Sequence, residues 1–184
     1  MKTIFTKQDI FANRGCYSRE QVEACSFINL PVINAEDLLR SEIPLKDKRW
    51  FVWNACALSL EQKKDLALKL AWVVLPIFED KYPEDKRVRE CLEAMEQFKK
   101  GLITREELLE KRRAAADAAT DAADAAYAAT DAADAAYAVY AADAAYAVYA
   151  ATAYAASKTQ TYSQKIQELM ISFLNENKDE SKEE

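Results

Sequence analysis

From Ala114 to Ala156 the chain spells out 43 residues with five kinds of side chain: Ala, Asp, Thr, Tyr and two Val. An identical ten-residue unit, ATDAADAAYA, stands at 119–128 and again at 129–138, and a looser copy follows at 139–149. The stretch holds no Gly, no Pro and no cation. Alanine has the highest helix propensity, and nothing here breaks a helix, so the segment is expected to be helical. A β-solenoid needs bulky inward residues, and only alanines are on offer. An ice-binding alanine helix wants threonines eleven apart, and Thr120 and Thr130 are ten apart.

At 100° per residue, Ala118, Ala122, Ala125, Ala129, Ala132 and Ala136 form a seam of methyl groups. Such a seam lets a second helix approach more closely than the usual 8–10 Å between axes. Asp117, Thr120, Asp121, Asp124, Tyr127, Asp131 and Asp134 lie on the other side. The seam fails after Ala136. A new one runs through Val139, Ala142, Tyr146, Tyr149, Ala153 and Ala156, so the buried face is expected to change near 137–142. One straight helix would be ~65 Å long, too long for a compact domain of this size. The segment is therefore expected to be a helix pair or, as the missing Gly and Pro favour, a long spine for other helices.

The flanking sequence also reads as helical. Ser18 with Gln21, Ser59 with Gln62, and Thr104 with Glu107 have capping-box spacing, and Asn34 with Asp37 a weaker form of it. A short helix is expected from Ala35 to Ser41, closed by Pro44. In the stretch from Asp47 to Ala57, Trp50, Trp53, Ala57 and Leu58 fall at helical spacing, as do Phe51, Ala55 and Leu58, and this aromatic density points to core packing. Leu66, Leu70, Val73, Val74, Ile77 and Phe78 give the next helix an apolar face, which Pro76 should bend or end. Another helix is expected from about Pro83 to Lys100, with Val88, Cys91, Leu92, Met95 and Phe98 inward and Gly101 as its stop. A last amphipathic helix presents Tyr162, Ile166, Leu169, Met170, Phe173 and Leu174. The expected fold is all-α, a helical bundle with the Ala-rich helix or helix pair as spine. Its single domain, 1–175, divides into short helices at 1–58, a helical pair at 59–113, the Ala-rich helix at 114–156 and an amphipathic helix at 158–175. A disordered charged tail is expected at 176–184.

Composition excludes several kinds of function. There is no histidine, so imidazole catalysis and imidazole metal ligation are out. Neither a phosphate-binding Gly loop nor a nucleophile elbow is present, so no catalytic residue, cofactor site or metal site is assigned. A net charge of −6 speaks against direct nucleic-acid binding. No run approaches the roughly 18 apolar residues of a membrane span, and no signal peptide is recognisable, so a cytoplasmic protein is expected. Cys16, Cys25, Cys56 and Cys91 form no CxxC pair and read as free thiols.

Two features carry functional readings. Asp85, Arg87 and Arg89 can bind an anion or simply pair at a helix end. The aspartates can be a solvated face that keeps an Ala–Tyr helix soluble, or an acidic strip for a basic protein partner: Asp117, Asp121, Asp124, Asp131 and Asp134 with Tyr127 and Tyr137 beside them. A shared hard cation is a third use of such carboxylates.

The stretch from about Leu66 to Ala156 resembles the alanine-rich immunity proteins of bacterial polymorphic toxin systems, an Imm-five-like family that also occurs in phage genomes. The resemblance rests on L-P-I-F-E at Leu75–Glu79, P-E-D-K-R-V-R-E at Pro83–Glu90, Gly101-Leu-Ile, and the repeat that follows. Where the family's repeat is expected to hold histidines, this one holds Asp and Tyr. The resemblance implies an all-helical, non-enzymatic inhibitor whose partner is a toxin or host effector protein. Two other readings stay open: a phage-encoded modulator that mimics the charge rows of DNA, and a structural module that forms homo-oligomers through its Ala and Tyr faces.

Overall fold

A computed structural model describes residues 1–15, 17–121 and 160–178. They are mostly helical and form two compact units: Met1–Ser59 with Gln167–Glu184, and Leu60–Ile166.

The first unit opens with a strand, β1 (Ile4–Phe5), antiparallel to β2 (Ile33–Asn34), with Ile4 opposite Asn34 and Phe5 opposite Ile33. This ribbon was not expected from the sequence. Two residues a strand are too few for an alternation pattern to register. Its helices are α1 (Lys7–Ala12), α2 (Arg19–Glu23), α3 (Ala35–Arg40) and α4 (Leu45–Ala55), with a 3-10 turn at Ser26–Asn29.

Local hydrogen bonds set where the short helices begin. At α1 the Asp9 carboxylate accepts from the Thr6 N–H at 2.8 Å, and the Thr6 hydroxyl accepts from the Asp9 N–H at 3.1 Å. At α2 the Ser18 N–H donates to Gln21 Oε1 at 2.8 Å, and Ser18 Oγ accepts from the Gln21 N–H at 3.2 Å. At α3 the Asp37 carboxylate accepts from the Asn34 N–H at 2.8 Å. Each arrangement satisfies donors that the first helical turn leaves unpaired. The α1 box, closed by Asp9 as the α3 box is by Asp37, is not among the caps expected from the sequence.

The tryptophans of α4 depart from expectation. Trp50 is 39% exposed and Trp53 half-buried, while Phe51, Val52 and Ala55 are buried. The buried face is the one spaced through Phe51, Ala55 and Leu58, turned by about one residue, ~100°, from the one the tryptophans suggest. The cause is a distant partner: Phe51 meets Phe5 of β1 edge-on, ring centroids 4.8 Å apart. The final helix, α8 (Gln160–Glu176), buries Met170, Ile171, Phe173 and Leu174. Arg40 of α3 forks onto Glu168 at 2.8 and 3.3 Å, and Lys48 of α4 donates to Gln167 at 2.8 Å.

The second unit contains α5 (Leu60–Glu79), α6 (Arg87–Lys99) and α7, described over Arg105–Asp121. Leu66, Leu70, Val74 and Phe78 are buried as expected, with Ala67, Ala71 and Leu75, whereas Val73 and Ile77 are half-buried. Pro76 does not end α5, which continues three residues beyond it, and the Asp80 N–H reaches the Pro76 carbonyl at 2.9 Å. The proline itself lies on an exposed position of the helix.

Helix α6 starts at Arg87, four residues later than expected from Pro83. Residues 83–86 are used instead in a turn, in which the Asp85 carboxylate takes the Arg87 N–H at 3.1 Å. Val88, Cys91, Leu92 and Met95 are fully buried and Phe98 half-buried. Gly101 ends the helix as expected, at φ +70. The Leu102 N–H bonds the Gln97 carbonyl and the Gly101 N–H the Phe98 carbonyl, both at 2.9 Å, which is a Schellman stop. Thr104 and Glu107 then cap α7 in the expected box. The α6–α7 pair is the most extensive helix packing among the described residues.

Candidate functional site

The expected acidic strip would begin on α7, where Asp117 lies. Ala115 and Ala118 are fully buried, and Asp117 between them is exposed. The first member of the expected methyl seam and the first aspartate of the expected strip thus lie on opposite sides of the helix. Asp121 closes the described part of α7, and its side chain lies outside the described residues. Asp124, Tyr127, Asp131, Asp134 and Tyr137 lie outside the described residues too, as do the change of face near 137–142 and the seams from Ala122 onward.

The acidic character starts earlier than Asp117. Glu106, Glu110, Arg113 and Asp117 follow a 4-3-4 spacing on α7 and all are exposed. Glu106 and Glu110 extend the strip toward the start of the helix. Their spacing is readable in the sequence, across the change in composition at Ala114. Arg113 places one cation inside the strip. Glu107 is used elsewhere: its carboxylate accepts from the Thr104 N–H at 2.7 Å, which holds it below the usual carboxylate range.

The second cluster forms where α5 meets α6. Arg89 donates from Nε to Glu79 Oε1 at 2.6 Å and from Nη2 to Glu79 Oε2 at 2.7 Å. Its guanidinium also lies 5.5 Å from the centre of the Trp72 ring. Asp85 takes Arg87 in the same forked way, at 3.0 Å from Nε and 2.6 Å from Nη2. The hydrogen bonds from the arginines hold both carboxyls below their usual range. Thus the L-P-I-F-E and P-E-D-K-R-V-R-E segments meet through Glu79 and Arg89. The arginine forks that an anion would need are already filled by carboxylates, so ion pairing is the reading these contacts favour. The Trp72 indole N–H is buried without an acceptor among the described residues.

Among the described residues, no group of three or more Cys, Asp or Glu side chains is placed to hold a metal ion. No described helix is long and apolar enough to cross a membrane.

Comparison with protein families matches residues 58–176 to the family described as "Imm-5 like putative immunity protein". The chain belongs to this family. The match is longer than the resemblance read from Leu66 to Ala156: it takes in α5 from its first residue and reaches the last residue of α8. No curated protein and no solved structure matches the chain. Both the acidic strip and the Glu79–Arg89 cluster fall inside the region that matches the Imm-5 like family, whereas β1, β2 and α1 to α4 fall outside it.

Proposed function

We propose that this chain is a non-enzymatic, immunity-type inhibitor that sequesters a toxin or effector protein against an acidic helical surface. The surface starts on α7 with Glu106, Glu110 and Asp117 and continues through Asp121, Asp124, Asp131 and Asp134, with Tyr127 and Tyr137 beside it. The observation that carries the reading is the exposure of Asp117 opposite the buried Ala115 and Ala118, in a chain of the Imm-5 like family. A row of carboxylates attracts a basic partner over distances of about a Debye length, ~8 Å at physiological salt, and raises its association rate. Tyrosines beside such a row add contact area at little entropic cost.

The test is retention of a partner from the source cell by the tagged chain, and by a variant with Asp117, Asp121, Asp124, Asp131 and Asp134 changed to Lys. Retention that the wild-type chain shows, that weakens with added salt and that the variant loses supports the proposal. Retention that ignores both salt and charge reversal sinks the acidic surface, and no retained protein sinks the inhibitor reading itself.

A further inference from the structure

The N-terminal ribbon has an uncovered face. The Ala35 N–H donates to the Thr3 carbonyl at 2.8 Å, so Thr3 and Phe5 turn their backbone groups toward β2 and Ile4 turns its own outward. To either side of Ile4 that outer edge is closed. The Lys2 N–H is taken by the Cys56 carbonyl at 2.8 Å, and the Thr6 N–H by Asp9 at 2.8 Å. A one-residue opening is too short for an added strand, so what the ribbon offers is its face.

That face is apolar. Side chains alternate along each strand, so Phe5 and Ile33 point inward at 2% and 1% exposure while Ile4 and Val32 stand outward at 59% and 52%. Leu30, two residues before Val32, is 42% exposed. Three of the six strongly exposed large apolar side chains among the described residues are therefore gathered here rather than scattered. A cleft beside them runs between Thr6–Lys7 and Leu30–Val32, and its lining includes Lys7 and no carboxylate. At the rim Lys2 pairs with Asp9 at 2.7 Å.

We infer that this face docks on the same face of a second copy of the chain. With a net charge of −6, two copies repel each other over most approaches. Here they meet through apolar side chains and a cleft with a cation but no acid, where that repulsion is least. A two-fold contact demands a self-complementary patch, and this rim carries both signs, in Lys7 and in the Lys2–Asp9 pair. Three side chains a copy fall well short of the about 800 Å² per partner of a stable interface. The association is therefore weak and concentration-dependent. It uses residues outside the family match.

Sedimentation equilibrium of the full chain over rising concentration tests this. The mean mass should climb from that of the monomer toward twice that value. Added salt should favour the dimer, because it screens the mutual repulsion while leaving apolar burial intact. Ile4→Asp should abolish the dimer with the helical circular dichroism unchanged, and the milder Val32→Thr should weaken it several-fold. Leu102→Asp, at a 70% exposed position elsewhere, should leave it intact. A monomer at every concentration and salt overturns the proposal. So does a dimer indifferent to both ribbon substitutions, or one lost equally with Leu102→Asp.

Discussion

Arg89 and Glu79 lock the start of α6 to the end of α5 through two parallel hydrogen bonds of 2.6 and 2.7 Å, with the guanidinium over Trp72. A planar fork satisfies the carboxylate and the ring at once, and an ammonium cannot. Arg89→Lys is expected to cost about 1 kcal/mol, the arginine being too exposed for a larger effect. Glu79→Gln should cost a similar amount. Urea unfolding of the variants measures both. The pH dependence has a definite sign. Arg89 holds Glu79 below its ordinary value of 4.5, so the stability contributed is whole above that value and lost as pH falls through the folded one. The wild type should therefore lose stability on acidification below about pH 4.5 more steeply than Glu79→Gln does.

Gly101 separates backbone strain from crowding. Its φ is +70, and a Cβ built there meets nothing within 4 Å. Gly101→Ala should thus cost only the left-handed penalty of roughly 1–2 kcal/mol, and Gly101→Asn less, because Asn tolerates that conformation. Thermal melting that ranks Gly above Asn above Ala supports this. Equal melting of all three would mean that the Schellman stop is not holding α6.

How legible each part was follows from the range of the forces involved. The starts of α2, α3 and α7 were readable because Ser18 with Gln21, Asn34 with Asp37 and Thr104 with Glu107 act within four residues. Gly101 was readable for the same reason. For α4 the spacing offered two overlapping faces, one through Trp50 and Trp53 and one through Phe51, Ala55 and Leu58; the second is buried, with Phe51 against Phe5, far away in sequence, and a helical wheel cannot choose between the two. The late start of α6 was hidden because Pro83 is a good first helical residue, whereas Asp85 turned out to be the group that holds the Arg87 N–H. Of the candidate site, the exposed position of Asp117 agrees with the side expected for it from the Asp spacing, while the other aspartates lie outside what the structure describes; Glu106 and Glu110 were obscured by the change in composition at Ala114.

The buried thiols should be inert. Burial pushes Cys56 and Cys91 up to about 12, far above the pH at which a thiolate forms in water. Cys25 is half-buried, and burial together with Glu42 raises it too. Peptide mass mapping after brief iodoacetamide treatment of the folded chain at pH 8 should find Cys25 modified before Cys56 or Cys91. In urea the three should react alike. Early modification of Cys91 in the folded chain would mean that the α6 core opens readily.

The two sides of α7 should answer mutation in opposite ways. Ala115 and Ala118 are fully buried, so a larger side chain there must displace whatever covers them. Ala115→Leu or Ala118→Leu should cost about 1–3 kcal/mol by overpacking. Asp117 stands on the exposed side with no ion pair among the described residues, so Asp117→Lys should change stability by no more than about 0.5 kcal/mol. If the strip serves a basic partner, the same Asp117→Lys should weaken partner retention while the protein melts as before. Denaturation and retention measured on these three variants separate the structural side of the helix from the functional one. A large loss of stability with Asp117→Lys, or none with the two leucines, would mean that the faces have been assigned the wrong way round.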